Sequence, residues 1–148
     1  MCFPPDVECA IGAVNGSGDG VVFIDGSIPH PTLGPIREPI RVEFRGSKIV
    51  DISGGQEAEA LKQLLADAND PEHAYFMGEI GLGMNPACSL NGRMLEDEGC
   101  AGTIHFGIGD DRSFGGNNIC AQHIDLIFKA PTIRVDGRLI MQDGKVVN

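Results

Sequence analysis

GTIHFGIG, residues 102–109, alternates apolar side chains with residues that are small or ionisable. Ile104, Phe106 and Ile108 fall on one face of an extended chain, and Thr103, His105, Gly107 and Gly109 on the other. The pattern recurs in MGEIGLG (77–83), where Ile80 and Leu82 oppose Glu79, Gly81 and Gly83, and more weakly in VECAIGAV (7–14), where Val7, Cys9 and Ile11 oppose Glu8, Ala10 and Gly12. In HIDLIF (123–128) His123 and Asp125 share one face, with Ile124 on the other. A period of two predicts strands with one apolar face each. Glycine inside a strand gives up packing and backbone entropy, so its placement beside ionisable groups points to close approach by a ligand or another backbone.

Working outward, short β-branched runs punctuated by glycine predict further strands at 21–25, 40–44, 48–52, 74–83, 132–137 and 138–144, with Asp-Gly turns at 25–26, 136–137 and 143–144. One segment differs. GQEAEALKQLLADAND (55–70) carries Leu61, Leu64, Leu65 and Ala68 at helical spacing, which predicts one main amphipathic helix over about residues 55–69. GRMLEDEG (92–99) suggests an added helical turn, and the proline-rich SIPHPTLGPIREP (27–39) reads as a surface connection. The expected fold class is therefore α+β, a single domain over 1–148 that is rich in antiparallel strands.

Composition narrows the function. The chain has 148 residues, 42% of them hydrophobic and 22% charged, which fits a globular domain. Its net charge of −10, with eleven Lys and Arg set against 21 Asp and Glu, leaves no electrostatic footprint for nucleic acid or anionic lipid. No apolar run has membrane-spanning length and the N-terminus lacks signal-peptide character, so no membrane partner is expected and a cytoplasmic location is the default. Five cysteines (2, 9, 88, 100 and 120) without a CxxC pair fit free thiols in a reducing compartment.

Glu79, His105, His123 and Asp125, with Glu8 nearer the terminus, form an inventory suited to zinc, manganese, cobalt or iron(II). Bland readings apply elsewhere. His30 and His73 read as structural, Glu96, Asp97 and Glu98 as a solvated acidic run, Asp110 and Asp111 likewise, and Met77, Met84, Met94 and Met141 as gap filler. The glycine pair in GEIGLGMNPACSL is not followed by a helix in a βαβ unit, so it is no dinucleotide fingerprint, and a serine nucleophile elbow is lacking.

GEIGLGMNP (78–86), GTIHFGIG, FGGNN (114–118) and HIDLIF, followed by PTIRVDGRLIMQDGKVV (131–147), resemble in their order the C-terminal part of the aminopeptidase T/aminopeptidase S family of metallo-aminopeptidases. VVFIDGSI (21–28) and EPIRVEFRGSKIVDISGG (38–55) also look like that family. The resemblance implies that Glu79, His105, His123 and Asp125 bind a pair of metal ions, with Glu8 as the upstream glutamate and Glu8 or Glu79 as general base. Two features depart from it: the family's catalytic tyrosine is missing near Phe114, and the chain is less than half the usual length. The same superfamily is similar to 2,5-dihydroxypyridine dioxygenase, which implies one iron on His105, His123 and Asp125 with Glu79 as a supporting or acid–base residue.

The function expected from this resemblance is a metal-dependent hydrolase of the aminopeptidase type, with zinc, cobalt or manganese, that releases N-terminal amino acids from peptides or acts on a small amide. The alternatives are a mononuclear non-haem iron(II) ring-cleaving dioxygenase and a non-catalytic metal-binding domain. A homo-oligomer is expected, because short strands leave an edge or apolar face to cover and the related peptidases are dimers.

Overall fold

The computed structural model describes residues 8–147; Cys2 and Val7, the latter counted in the first expected strand, lie outside them. In chain order the strands are β1 (Glu8–Gly12), β2 (Gly20–Ile24), β3 (Ser27–Ile28), β4 (Gly34–Pro35), β5 (Ile40–Arg45), β6 (Lys48–Ser53), β7 (Met77–Gly83), β8 (Thr103–Gly109), β9 (His123–Lys129), β10 (Ile133–Val135), β11 (Arg138–Gln142) and β12 (Lys145–Val146). They build a six-stranded sheet in the order β1-β7-β8-β9-β3-β4, a three-stranded sheet β2-β5-β6 and a small C-terminal sheet β10-β11-β12. Every strand pairing is antiparallel.

The α+β expectation is corrected. The structure is 43% strand and 13% helical, and its helices are short: α1 (Gln56–Ala66) and the single turn α2 (Pro71–Ala74). Helix α1 stops short of residue 69 because Asp67, Asn69 and Asp70 are weak helix formers, and Asp70 instead caps the turn that starts at Pro71, accepting from His73 N–H. That turn also shortens the strand expected over 74–83, which begins at Met77. Residues 92–99 form turns rather than a helical segment. The proline-rich connection contributes β3 and β4 to the edge of the large sheet, and Ser27 and Ile28 are fully buried there. Among the described residues no helix is long and apolar enough to cross a membrane.

Period-two alternation gives the large sheet two unlike faces. On one, Ile108, Ile124 and Leu126 pack with Ile40, Val42 and Phe44 of β5 and with Ala58, Leu61 and Leu65 of α1 into a continuous core. Phe106 bridges the layers, meeting Phe44 and Phe128 edge-to-face at centroid distances of 5.8 and 5.2 Å. The opposite face carries the ionisable residues. One irregularity sets which face Glu79 joins: Met77 lies opposite Ile108 and Glu79 opposite Gly107, so Gly78 is an extra residue in β7. Met77 therefore enters the core while Glu79, two residues on, is on the other side. At the far end, Asp136-Gly137 and Asp143-Gly144 all take positive φ (48–79°), the conformation that tight hairpin turns require.

Candidate metal centre

The pairing register lays the expected residues out as a grid on the second face. Along one row Gly12, Glu79, Gly107 and Asp125 are neighbours across β1, β7, β8 and β9. In the next row Gly81 is opposite His105, and one row in the other direction Gly109 is opposite His123. Each ionisable side chain thus has a glycine beside it on the adjoining strand. The cleared space is taken by the ionisable side chains themselves. A Cβ on Gly81 would fall within the His105 imidazole, and one on Gly107 would lie 2.5 Å from Glu79 Oε2 and from His123 Cε1.

Glu8, Glu79, His105 and Asp125 are buried, with 0–5% of their surface exposed. Glu79 joins the two imidazoles: Oε2 is 2.9 Å from His123 Nε2, and Oε1 is 3.6 Å from His105 Nε2. Asp125 Oδ1 is 3.2 Å from His123 Nε2, and Glu8 Oε2 is 3.8 Å from His105 Nε2. Overlapping groups of three donors result: Glu8, Glu79 and His105; Glu79, His123 and Asp125; and Glu98, His105 and Asp125, each with its ligand atoms within 4.8 Å of one another. Each imidazole shares a group with Asp125 and another residue, and no group among the described residues holds both.

Glu98 is the residue that sequence reasoning missed. In the acidic run 96–98 the three side chains have different fates: Glu96 is half-buried and hydrogen-bonded to Asn91, Asp97 is fully buried under the backbone of its own loop, and Glu98 turns to the site. A composition-based reading treats them alike. The signal lay in position, because Glu98 precedes β8 by only a few residues and so enters at the end of the grid. Asp111, also expected to be solvated, is 2% exposed and accepts from Asn118 N–H at 2.7 Å. His30 and His73 are paired locally with Thr32 and Asp70, as a structural role requires.

Fully ionised, four carboxylates face two imidazoles, so even with both rings protonated two negative charges remain. The protonation equilibria respond. Burial pulls the His123 imidazole down, but its hydrogen bonds to Asp125 and Glu79 outweigh this and push it up to about 11. His105 is likewise raised against its burial, chiefly by Glu79. Glu79 is held below the usual carboxylate range against burial by the two imidazoles. Burial, aided by the charges of Asp125 and Glu8, pushes the Glu98 carboxyl up to about 8.

Two further details bear on a metal. His123 Nδ1 lies 2.7 Å from the Asp110 carbonyl, which can only accept, so that nitrogen carries a proton and Nε2 is the ligating atom that faces the carboxylates. Both ring nitrogens of His105, and Oδ2 of Asp125, are buried without a hydrogen-bond partner. Such atoms are rare in folded proteins and their presence fits a site made for a cation. Phe114 occupies the region of the missing tyrosine and stacks on His123, with ring centroids 6.0 Å apart.

A sheet face with this donor set defines a β protein with a candidate divalent-metal centre. Comparison with known proteins names the family. The model of the 2,5-dihydroxypyridine 5,6-dioxygenase family, NicX, matches residues 5–148, so the chain belongs to that family. It is 30% identical over 141 residues to the 2,5-dihydroxypyridine 5,6-dioxygenase of Pseudomonas putida KT2440, an alignment that covers 88% of this chain and 40% of that protein. The structure of 2,5-dihydroxypyridine dioxygenase from the same strain superposes with a TM-score of 0.80 at 27% identity, over 90% of this chain and 41% of the other. The chain thus spans about two-fifths of the length of the relative it matches. Membership in a dioxygenase family overturns the expected aminopeptidase-type hydrolase.

Proposed function

We propose that the chain carries the metal-binding part of a ring-cleaving dioxygenase for a hydroxylated pyridine, with iron(II) held by His105, His123 and Asp125. The observation that carries this reading is a conjunction: the family match falls on a chain that places two imidazoles and an aspartate on adjacent strands of one sheet face. Two histidines and one carboxylate leave coordination positions open for substrate and oxygen. When bound, iron(II) would supply the electrons that activate dioxygen and a Lewis-acid seat for a substrate hydroxyl oxygen.

The chain's own residues have separable tasks in this reading. The Asp110 carbonyl keeps the His123 proton on Nδ1 and so presents Nε2 as the donor. Glu79 stands between the two imidazoles with one oxygen toward each, where its carboxylate is positioned to take a hydroxyl proton from the substrate. Phe114 shields one face of the His123 ring from water.

The test is anaerobic loading with iron(II), followed by oxygen-electrode measurement with 2,5-dihydroxypyridine. The expected result is oxygen uptake in step with loss of the ring's ultraviolet absorbance, absent in His105→Ala and His123→Ala. Protein that retains stoichiometric iron yet consumes no oxygen with any dihydroxypyridine would overturn the proposal.

A further inference from the structure

The loop 84–102 closes the ionisable face at one end, and its own hydrogen bonds fix where Glu98 stands. At its base Asn85 N–H donates to Gly99 O at 2.8 Å, and Ala101 N–H to Asn85 O at 3.0 Å. Gly83 makes this approach possible, because a Cβ there would collide with the Cys100 backbone. Inside the loop Asp97 is fully buried and accepts from the N–H groups of Asn91 at 2.7 Å and Gly92 at 2.8 Å. With Asp97 on one side and the Asn85 bridge on the other, Glu98 has little freedom in its backbone. Its half-buried carboxylate joins His105 and Asp125 in one three-donor group.

Asp125 is 1% exposed and its Oδ2 has no hydrogen-bond donor, and both ring nitrogens of fully buried His105 are also without partners. Without a cation a second carboxyl can stand beside Asp125 only by sharing a proton with it in a side-chain hydrogen bond, since two ionised carboxylates would repel at low effective dielectric. A cation between the three groups would take the place of that proton and engage Asp125 together with one orphaned His105 nitrogen.

The geometry points to Glu98 as a further protein donor of the metal centre, contributed by the loop to the same divalent cation that His105 and Asp125 hold. The inference rests on the metal-site reading above and adds a residue outside the two-histidine, one-aspartate set.

Cobalt(II) is the probe, since its visible absorption reports the ligand set without turnover. Binding is titrated at one pH for the wild-type chain, Glu98→Gln, Glu98→Asp and His123→Ala, with thermal midpoints measured metal-free and cobalt-loaded. The proposal expects Glu98→Gln to weaken cobalt affinity about tenfold or more, to change the visible spectrum and to shrink the cobalt-induced rise in midpoint, while its metal-free midpoint is not lowered. Should Glu98→Gln not fold, Glu98→Asp keeps the charge on a shorter stem and is expected to show the altered spectrum. If His123→Ala loses cobalt while the Glu98 variants keep wild-type affinity and spectrum, the Glu98 inference is overturned and the metal centre stands. If the wild-type chain takes up no cobalt, the underlying reading fails, and the inference with it.

Discussion

Asp97, in the loop before β8, and Asp125, in the middle of β9, are both carboxylates with almost no exposure. Asp97 is met by two backbone N–H groups at 2.7 and 2.8 Å, which are fixed dipoles with no protons to exchange. Asp125 is met by an imidazole at 3.2 Å and by the carboxyl of Glu98, groups whose charge changes with pH and with bound ions. Burial alone therefore does not separate a structural carboxylate from one that belongs to a site. The partners do. Where the chain supplies permanent donors, the charge organises a loop; where it supplies titratable groups, the charge is held available for something that comes and goes.

The largest effects should come from breaking the titratable side of this pair. His123→Ala is expected to weaken divalent-metal binding on the order of a hundredfold or more, beyond what removal of an outer-shell partner costs, as read by calorimetric titration. Asp125→Asn should lose metal to a similar extent. Asp97→Ala reverses this pattern. It strands two loop N–H groups and should destabilise the metal-free protein by about 3 kcal/mol in denaturant melts, at 1–3 kcal/mol for each buried unsatisfied group.

A pH series sharpens the contrast, because the metal-free and metal-loaded forms should respond with opposite sign. His123, raised in the fold from 6.5 to about 11, contributes stability that is fully present below pH 6.5 and is lost as pH rises toward 11. Glu98, raised from 4.5 to about 8, likewise contributes stability that is complete below pH 4.5 and gone above 8. Metal-free protein should therefore lose stability from these groups as pH rises. Metal binding requires unprotonated Nε2 atoms, so apparent affinity should rise with pH by about tenfold per unit for each proton displaced. An affinity independent of pH from 6 to 9 would mean that the imidazoles are not ligands. The smallest expected effect lies on the surface. Lys62→Ala breaks an exposed pair with Glu59 and should change stability by no more than about 0.5 kcal/mol.

Much of the site was legible because strand alternation is a strong local rule. Once 102–109, 77–83 and 123–128 are read as strands, Glu79, His105, His123 and Asp125 each fall on the face opposite Ile80, Ile104, Ile108 and Ile124, and antiparallel pairing brings those faces together. Glu98 escaped because its position depends on a loop whose shape is set by Asp97 and the Asn85 bridge, and neither is visible in a run of three acidic residues. The fold class was misjudged on a different ground. Helical periodicity over 55–70 carried too much weight, since the segment supplies only eleven helical residues beside twelve strands. Ser27 joins the sheet through Ile127, far along the chain, and Gly34 follows by pairing with Ile28, contacts that proline-rich composition does not reveal.

The extra residue at Gly78 has a consequence for how this protein can vary. A sheet is read in twos, and Gly78 shifts the reading frame between Met77 and Glu79. Were Gly78 drawn into regular pairing, Met77 and Glu79, two positions apart, would compete for a single face, sending either a thioether into the acidic cluster or a carboxylate into the hydrocarbon. Substitution is also constrained, because a Cβ at 78 would run into the Asp111 side chain. Drift among descendants of this sequence should therefore collect in the hairpin turns and spare the start of β7, where pairing out the bulge would turn one end of the strand over rather than change its length.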